Sequence, residues 1–315
     1  MKEIKKIAIC GGGMMGSAIA QVLASLDDVT ITVYDKFPVD VESKIRSNMK
    51  LLVEKGIKTE ADVDGIVSKV SFTQDIENVG VKEADLIVEA VLEDMQMKQD
   101  LFAQLEGIVA DDCIFCTNTS VMSPTEISAK CVHKERLVGT HFWNPGFLIP
   151  LVEVVRTEAA SDEVVETVMD VLTRAGKKPV LCKKDVPGFI ANRMQHALWR
   201  EAISIVENGI ADAKTVDDAV KYSFGLRLPY LPPLVNSDMV GTQLTYNIHN
   251  YVLEDLEDRH DASPLLGQMI EEGKLGFRAE TVDGYKEGFM KYTEEEIAQI
   301  NEGLNEYLIK MLYGV

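Results

Sequence analysis

Residues 7–16 read IAICGGGMMG, and their glycines Gly11, Gly13 and Gly16 have the spacing G-x-G-x-x-G. The apolar run before them predicts a strand, and the pattern MMGSAIAQVLASL that follows predicts a helix. In such a turn Gly11 permits the tight bend, Gly13 lets a pyrophosphate approach the backbone and Gly16 lets the helix pack on the strand. The stretch therefore predicts a dinucleotide-binding fold.

The start of this helix and the second predicted strand indicate which dinucleotide is bound. Met14 and Met15 begin the helix, whose unpaired N–H groups favour a phosphate. The second strand ends at Asp35, about 20 residues past Gly16, where a carboxylate can accept from a ribose 2′-hydroxyl and repels a 2′-phosphate. We therefore predict NAD as the cofactor; the alternative is a glycine-rich turn with a surface aspartate.

Short β-branched runs alternate with helical patterns up to residue 184, which indicates an α/β fold. The predicted strands lie at residues 4–10, 30–35, 69–73, 84–90, 113–118, 137–143, 151–156 and 179–183. They predict a Rossmann-type, doubly wound, mostly parallel sheet with an antiparallel portion at its end. Beyond residue 184 we predict helices and no strand. The predicted domains are residues 1–184, which bind NAD, and residues 185–315, which are all-helical.

Composition and charge limit the classes of partner that the chain is expected to bind. The 315-residue chain has a net charge of −19, which is unfavourable for nucleic acid and for anionic membranes. No apolar run approaches the roughly 20 residues that span a bilayer, and no signal-peptide pattern precedes the first strand. We therefore expect a cytoplasmic protein with a small-molecule substrate.

Cys113 and Cys116 form a C-x-x-C within a predicted strand. Side chains alternate between the two faces of a strand, so the two thiols point to opposite faces and no metal site is predicted.

The stretch HFWNPGFLIPLVE carries His141 at its start and Glu153 near its end. An alcohol dehydrogenation needs a base for the hydroxyl proton, and histidine titrates near neutrality. A carboxylate commonly holds the other ring nitrogen of such a base. The segment between the two residues contains two prolines and a glycine, so a turning loop could bring His141 and Glu153 face to face. The alternative is a core histidine and an edge-strand carboxylate.

Three stretches read together resemble one family. TNTSVMSPTEIS, HFWNPGFLIPLVEVV and DVPGFIANR follow the order and spacing of the 3-hydroxyacyl-CoA dehydrogenases, and the glycine motif and EAVLEDMQMKQDLF also fit. The resemblance implies a two-domain enzyme of fatty acid metabolism that oxidises the 3-hydroxyl of an L-3-hydroxyacyl-CoA with NAD. It further implies that residues 185–315 bind substrate and form a homodimer.

The resemblance also implies roles for individual residues. His141 is the general base and Glu153 its orienting partner, while Ser120 and Asn192 hydrogen-bond the reacting oxygen and position the substrate. Asn192 is expected to reach the site from the second domain. The residues implied to contact the cofactor outside the glycine motif are Glu93, Lys98, Asn118, Ser120 and Asn144. Taken singly, Ser120 could be a turn residue and Asn192 a solvent-facing helix residue.

The residues expected to bind the substrate depart from the family pattern. Trp143 and the GFLIP loop resemble the branch of lambda-crystallin (an L-gulonate dehydrogenase) and carnitine dehydrogenases, which use free acids. In GLRLPYLPPLVNSDMVG, Pro232 replaces a glycine and Val235 an acid of the common pattern. The cations of ESKIRSNMKLLVEKG fit a solvated helix at least as well as a CoA site. A free 3-hydroxy acid or sugar acid therefore remains the alternative substrate, and a non-catalytic NAD-binding structural protein is the third reading.

Overall fold

All eight strands predicted before residue 184 form in the computed structural model, which describes residues 2–315. They are β1 (Lys6–Cys10), β2 (Thr30–Tyr34), β3 (Val70–Thr73), β4 (Leu86–Glu89), β5 (Ile114–Thr117), β6 (Leu137–Phe142), β7 (Leu151–Arg156) and β8 (Lys178–Cys182). The sheet order is β3-β2-β1-β4-β5-β6-β7-β8, parallel except where β7 runs antiparallel to β6. The predicted doubly wound sheet with an antiparallel portion is confirmed.

Helices cover both faces of this sheet. They are α1 (Met14–Leu23), α2 (Val41–Glu54), α3 (Glu60–Val67), α4 (Val79–Lys82), α5 (Met95–Glu106), α6 (Pro124–Ile127) and α7 (Asp162–Arg174). One apolar cluster joins α1, α2 and α7 to one face of the strands, and a second joins α5 to the other face. Cys116 lies in the first cluster and Cys113 in the second, so the C-x-x-C side chains are separated as predicted.

Local capping explains where several of these helices begin. The side chains of Asp40, Asp94 and Ser161 each accept a hydrogen bond from a backbone N–H in the first turn of α2, α5 and α7. Thr59 and Asp62 form a reciprocal capping box at the start of α3. Each cap satisfies an N–H group that the helix itself leaves unpaired.

The C-terminal part is mainly helical. It contains α8 (Ala191–Glu207), α9 (Ala213–Lys221), α10 (Phe224–Arg227), α11 (Pro233–Val240), α12 (Thr242–Val252), α13 (Pro264–Glu271) and α14 (Glu294–Tyr313), with β9 (Lys286–Glu287) and β10 (Lys291–Tyr292). β9 and β10 pair antiparallel, so the prediction of no strand beyond residue 184 is wrong. Two-residue strands of mainly charged side chains leave no apolar alternation to detect.

Contacts between residues divide the chain into two compact units. The first runs up to Arg193 and includes Asn305–Val315, and the second is Met194–Leu304. The predicted boundary at residue 184 precedes this division, and the prediction assigned the C-terminal tail to the helical domain. Ile309 of the tail is buried in an apolar cluster with Leu52 and Leu148 of the first unit. Within residues 2–315, no helix is both long and apolar enough to cross a membrane.

Candidate active site

His141 and Glu153 face each other across two adjacent strands. They are direct partners in the antiparallel register of β6 and β7, so their side chains project from the same face of the sheet. His141 Nδ1 lies 2.9 Å from Glu153 Oε2, and the two residues are 4% and 0% exposed. The loop between the strands reverses the chain, as its prolines and glycine suggested. The structure thus brings together the two residues predicted as base and orienting partner.

Four donors converge on the Glu153 carboxylate. Oε2 faces His141 Nδ1 and accepts from Trp143 Nε1 at 3.3 Å, while Oε1 accepts from the backbone N–H groups of Ile190 and Ala191 at 2.9 and 3.0 Å. Burial opposes ionisation, but the hydrogen bonds from His141, Ala191, Ile190 and Trp143 outweigh it and hold the pKa of Glu153 below its usual value. The carboxylate is therefore ionised at neutral pH.

An ionised Glu153 fixes the tautomer of His141. A carboxylate can only accept, so Nδ1 carries the proton and donates it, which leaves Nε2 as an acceptor. No hydrogen-bond partner of Nε2 occurs among residues 2–315. The rings of Trp143 and Phe189 flank the imidazole, with centroid distances of 5.3 and 5.7 Å. This arrangement suits an imidazole that takes a proton from a substrate through Nε2.

Ser120 and Asn192 are in contact. Asn192 Nδ2 donates to the carbonyl oxygen of Ser120 at 2.9 Å, and Asn192 is only 8% exposed. Ser120 is exposed, and within residues 2–315 its hydroxyl has no hydrogen-bond partner. Both residues belong to the first compact unit, whereas the boundary predicted at residue 184 placed Asn192 in the second domain. The Ser120 hydroxyl can thus donate to a substrate oxygen without breaking an existing bond.

Asn118 directly follows β5, and Asn144 lies in the loop after β6. Asn118 Oδ1 accepts from the backbone N–H of Phe142 at 2.9 Å, which ties the end of β5 to the residue after His141. Asn144 is exposed in the following loop and precedes Pro145 through a cis peptide bond. Asn118 therefore has a structural contact, whereas the Asn144 side chain is open to solvent.

The glycine turn is built as the sequence predicts. Gly11 has φ +107°, and a Cβ there would lie 2.5 Å from the carbonyl oxygen of Ala90. A Cβ on Gly16 would lie 1.7 Å from the carbonyl oxygen of Gly11, because α1 packs tightly on the turn. A Cβ on Gly13 would meet nothing within 4 Å. The space over Gly13 at the start of α1 fits the approach of a cofactor pyrophosphate, with Met14 and Met15 in the first helical turn.

Asp35 follows β2 beside this turn. Its Oδ2 accepts from Gly12 N at 2.7 Å and its Oδ1 from Phe37 N at 3.0 Å. Each oxygen retains a lone pair, so the carboxylate can hold the glycine turn and still accept from a ribose hydroxyl. These contacts fit the NAD site predicted from the sequence.

Glu93 and Lys98, which the family resemblance assigned to the cofactor site, have different environments. Glu93 is partly exposed and accepts from the Thr119 hydroxyl and from Ser120 N at 3.0 Å. The Lys98 side chain is 1% exposed, and its ammonium lies 2.6 Å from Glu89 Oε1 and 3.2 Å from Glu93 Oε2. Lys98 therefore faces two carboxylates within the protein. Sequence reasoning missed Glu89, although an acid at the end of the apolar run ADLIVEA was a detectable signal.

Two further contacts were not predicted from the sequence. The indole N–H of Trp143 binds Glu153, and so do the backbone N–H groups of Ile190 and Ala191. The five cysteines are buried, and the described residues, 2–315, contain no group of His, Cys, Asp or Glu side chains that could hold a metal ion.

Comparison with known families adds an independent line of support. Residues 6–186 match the sequence profile described as "3-hydroxyacyl-CoA dehydrogenase, NAD binding domain", and residues 188–287 match "3-hydroxyacyl-CoA dehydrogenase, C-terminal domain". The human protein named "Hydroxyacyl-coenzyme A dehydrogenase, mitochondrial" is 33% identical over 298 residues, which cover 92% of this chain and 91% of that protein.

A relative with another substrate is equally similar. The protein from Mesorhizobium japonicum named "5-formyl-3-hydroxy-2-methylpyridine 4-carboxylate 5-dehydrogenase" is 33% identical over 299 residues, covering 93% of this chain and 92% of that protein. A solved structure of such a dehydrogenase, described as an NAD+-dependent dismutase, superposes with a TM-score of 0.86 at 32% identity and covers 98% of this chain and 97% of that one.

Proposed function

The chain belongs to the 3-hydroxyacyl-CoA dehydrogenase family of NAD-dependent oxidoreductases, and on that premise we propose that it reversibly oxidises the 3-hydroxyl of an L-3-hydroxyacyl-CoA to the 3-oxoacyl-CoA. The observation that carries the proposal is the buried His141–Glu153 pair, whose Nε2 is free to accept a proton. Membership in an oxidoreductase family also argues against a purely structural role.

In the proposed reaction, His141 Nε2 takes the hydroxyl proton. Glu153 holds Nδ1 and stabilises the imidazolium that forms. NAD, which Gly13 and Asp35 would hold, would supply the acceptor for the hydride that leaves the carbon bearing the hydroxyl. The Ser120 hydroxyl donates to the same oxygen as it becomes a carbonyl, and Asn192 fixes the Ser120 backbone. The Ser120 hydroxyl can stabilise the developing carbonyl oxygen without competing as an acid.

A cavity of about 480 Å³ in the first unit supports an anionic substrate. It adjoins the loop after His141 and is lined by Phe147, Leu148, Lys58, Lys177 and Lys178. In a chain of net charge −19, three lysines around one cavity favour an anion locally. Phosphates of CoA and a free carboxylate both satisfy this requirement, so the cavity supports either substrate class.

The second candidate substrate is a free 3-hydroxy acid or a sugar acid. The similarity to the pyridine-carboxylate dehydrogenase extends over almost the whole of both chains, with a TM-score of 0.86. The loop that contains Trp143 resembles that of the lambda-crystallin branch, and this resemblance also favours a free acid. This candidate keeps the same base and the same hydride transfer and changes only the group that the substrate site binds.

An assay of NADH production distinguishes the two candidates. We expect 3-hydroxybutyryl-CoA to have a kcat/KM at least tenfold above those of free 3-hydroxybutyrate, carnitine and L-gulonate, about 1.4 kcal/mol of additional binding to the transition state. A free acid that turns over faster would establish the second candidate. If none of these compounds reduces NAD, both are wrong.

A variant of the base tests the mechanism whichever substrate is used. We expect His141→Ala to lose turnover by roughly 10²–10⁴-fold, the usual contribution of a general base, with NADH affinity unchanged. His133→Ala is the matched control, because His133 is partly exposed and pairs with Glu135. Retained turnover in His141→Ala would overturn the assignment of the base.

We also propose that the protein is a homodimer formed through its helical part, in the cytoplasm. The second unit exposes large apolar side chains that monomeric proteins seldom leave in contact with water, and these include Ile210, Leu226, Tyr230, Leu234 and Tyr251. Light scattering should give twice the chain mass, and Tyr230→Asp with Leu234→Asp should give a monomer. Val132→Asp, at an exposed position of the first unit, should remain a dimer.

A further inference from the structure

The C-terminal tail, Asn305–Val315, lies outside both family profiles, the second of which ends at residue 287. It nevertheless belongs to the first compact unit, where it forms the end of α14. Ile309 is 1% exposed and packs on Leu52 of α2, and Glu306 Oε1 lies 3.1 Å from the Nζ of Lys55 in the same helix. The tail is therefore a packed part of the first unit, although the family profiles do not include it.

The tail also packs on the loop between β6 and β7. Leu148 of this loop is buried in the same cluster as Ile309, and Phe147 packs against that cluster. Both loop residues belong to the GFLIP segment, in which the sequence departs from the common family pattern. Two parts of the chain that differ from the family pattern are thus in contact with each other. Such a contact indicates one specialised structure in place of two unrelated changes.

The tail and the loop form walls of the cavity of about 480 Å³ in the first unit. A volume of this size is typical of small-molecule sites. The apolar part of the lining comes from three segments, which are the tail, the loop and α2. The side chains are Leu312, Tyr313, Phe147, Leu148, Met49 and Leu52. The tail therefore supplies part of the surface that a bound molecule would contact.

The charged part of the lining is entirely cationic within residues 2–315. It consists of Lys58, Arg174, Lys177 and Lys178. Arg174 lies 2.7 Å from a carboxylate oxygen of Asp170, and the Lys177 ammonium donates to two carbonyl oxygens of the loop. The ammonium groups of Lys58 and Lys178 form neither a hydrogen bond nor an ion pair with any residue from 2 to 315. These two lysines are thus available to an anion in the cavity.

We propose that the tail is a specificity element of the substrate site. Leu312 and Tyr313 contact the substrate next to its anionic group, and the anionic group itself is bound by Lys58 and Lys178. The proposal rests on the proposed function and deepens it, because it names residues outside the family profiles that select the substrate. The lining fits an anion that is attached to an apolar portion. A phosphate of CoA and a free carboxylate both supply this chemistry, and the first experiment distinguishes them.

The alternative is a tail that only stabilises the first unit. Ile309 stabilises the unit in either case, since it is buried in the apolar cluster and does not line the cavity. Leu312 and Tyr313 are 38% and 46% exposed and do line it. A purely structural role would lower the unfolding temperature and leave KM unchanged, whereas contact with the substrate raises KM.

The first experiment replaces the residues of the tail that line the cavity. In Leu312→Ala with Tyr313→Ala, we expect KM to rise roughly tenfold with kcat unchanged, because apolar contact to the bound substrate is lost. A rise for 3-hydroxybutyryl-CoA alone would identify a phosphate as the occupant, and a rise for free 3-hydroxybutyrate would identify a carboxylate. Met311→Ala with Tyr307→Ala is the matched control, since both residues are exposed on α14 and do not line the cavity. An unchanged KM, or an equal rise in the control, would overturn the proposal.

The second experiment removes the two available cations. In Lys58→Gln with Lys178→Gln, the cavity-lysine variant, we expect KM to rise roughly 10- to 100-fold with kcat unchanged, the effect of losing hydrogen bonds to a charged group. Lys44→Gln with Lys50→Gln removes the same charge from exposed positions of α2 outside the cavity and should keep the KM of the wild type. A cavity-lysine variant with the KM of the wild type would contradict the assignment of the two lysines.

Titration with inorganic phosphate separates this inference from the proposed function, because it requires neither NAD nor turnover. Calorimetry should show phosphate binding in the wild type and in the Lys44/Lys50 control, and its loss in the cavity-lysine variant. If phosphate binds in this way but no tested compound reduces NAD, the anion site stands and the proposed reaction is wrong. Phosphate that binds the wild type and the cavity-lysine variant alike would overturn the inference and leave the proposed reaction intact.

Discussion

Trp143 Nε1 lies 3.3 Å from Glu153 Oε2, the same carboxylate oxygen that faces His141 Nδ1 at 2.9 Å. Two donors thus share one acceptor, and each reduces the negative charge available to the other. The family pattern H-F-x-N-P leaves the position between Phe and Asn open, so the common pattern does not require the indole. We expect it to tune how strongly Glu153 stabilises the imidazolium of the base.

Trp143→Phe removes the indole N–H and keeps an aromatic ring. Glu153 then concentrates its charge on His141, the imidazolium is favoured, and a base that must be neutral becomes active only at higher pH. We expect the acid limb of the pH profile of kcat/KM to move to higher pH. Trp199→Phe, at an exposed position of the second unit, is the control. An acid limb that stays in place would show that the indole has no electrostatic role.

Glu153→Gln should reduce both turnover and stability. The amide lacks the charge that stabilises the imidazolium, and its single oxygen cannot accept from His141 and from the N–H groups of both Ile190 and Ala191. We expect a loss in kcat of roughly 10²–10⁴-fold and a free energy of unfolding lower by about 2 kcal/mol. Kinetics and urea denaturation at pH 7 measure the two effects. The exposed Glu158→Gln should match the wild type in both.

The stability effect of Glu153 should depend on pH in a defined direction. Folding lowers the pKa of this carboxyl, so its contribution is complete above the unfolded value of about 4.3 and is lost as the pH falls through the folded value. The difference in unfolding free energy between wild type and Glu153→Gln should therefore be constant from pH 5 to pH 7 and shrink below about pH 4. A difference that grows on acidification would contradict the ionised state of Glu153.

Substitutions at two glycines of the turn should have separate effects, one on NADH binding and the other on stability. Gly13→Ala places a methyl in open space at φ −64°, so the fold should be retained while NADH binds roughly tenfold more weakly, because the pyrophosphate approaches there. Gly11→Ala meets Ala90 O at φ +107° and should cost more than about 1 kcal/mol of stability. Calorimetry of unfolding and of NADH binding measures both. Gly303→Ala, in open space within α14, should leave NADH binding unchanged and should not lower stability, because alanine is the better helix former.

Lys177 should give the protein an unusual alkaline stability profile. Its ammonium is buried, is bonded to the carbonyl oxygens of Gly146 and Ile149, and has a pKa lowered by burial to about 8. The unfolded chain binds this proton up to about pH 10.4, so the contribution of Lys177 to stability rises between pH 8 and that value, by roughly 3 kcal/mol in total. Lys177→Met should abolish this rise, and the exposed Lys178→Met should preserve it. Parallel profiles for wild type and Lys177→Met would contradict the buried charge.

The sequence predicts those parts of the site whose residues lie close together along the chain. The glycine turn is a contiguous motif with one physical solution, and His141 and Glu153 flank a turn whose prolines and glycine force the chain to reverse. Once two strands pair across such a loop, the register brings the two residues together. The sheet could also be predicted from local patterns. Strands of a parallel sheet are buried on both faces, so each strand reads as a continuous apolar run.

The parts that sequence does not predict depend on packing between distant segments. Lys98 lies in DMQMKQDLF, where a lysine on an amphipathic helix ordinarily faces solvent, and only the position of Glu89 on β4 explains its burial. The N–H groups of Ile190 and Ala191 carry no side-chain signature that marks them as partners of Glu153. The return of Ile309 to the first unit depends on its packing in an apolar cluster with Leu52 and Leu148, which are both distant from it in the sequence.

Glu153 accepts both from the base and from the N–H groups of Ile190 and Ala191, which lie where α8 begins. A substitution there disturbs the construction of the protein as well as its chemistry, whereas a substitution of His141 removes only the proton acceptor. A gene copy released from selection for turnover, but still selected for an intact fold, should therefore change the histidine and retain the glutamate. The residue that resists change longest at this site is the one that never touches the substrate.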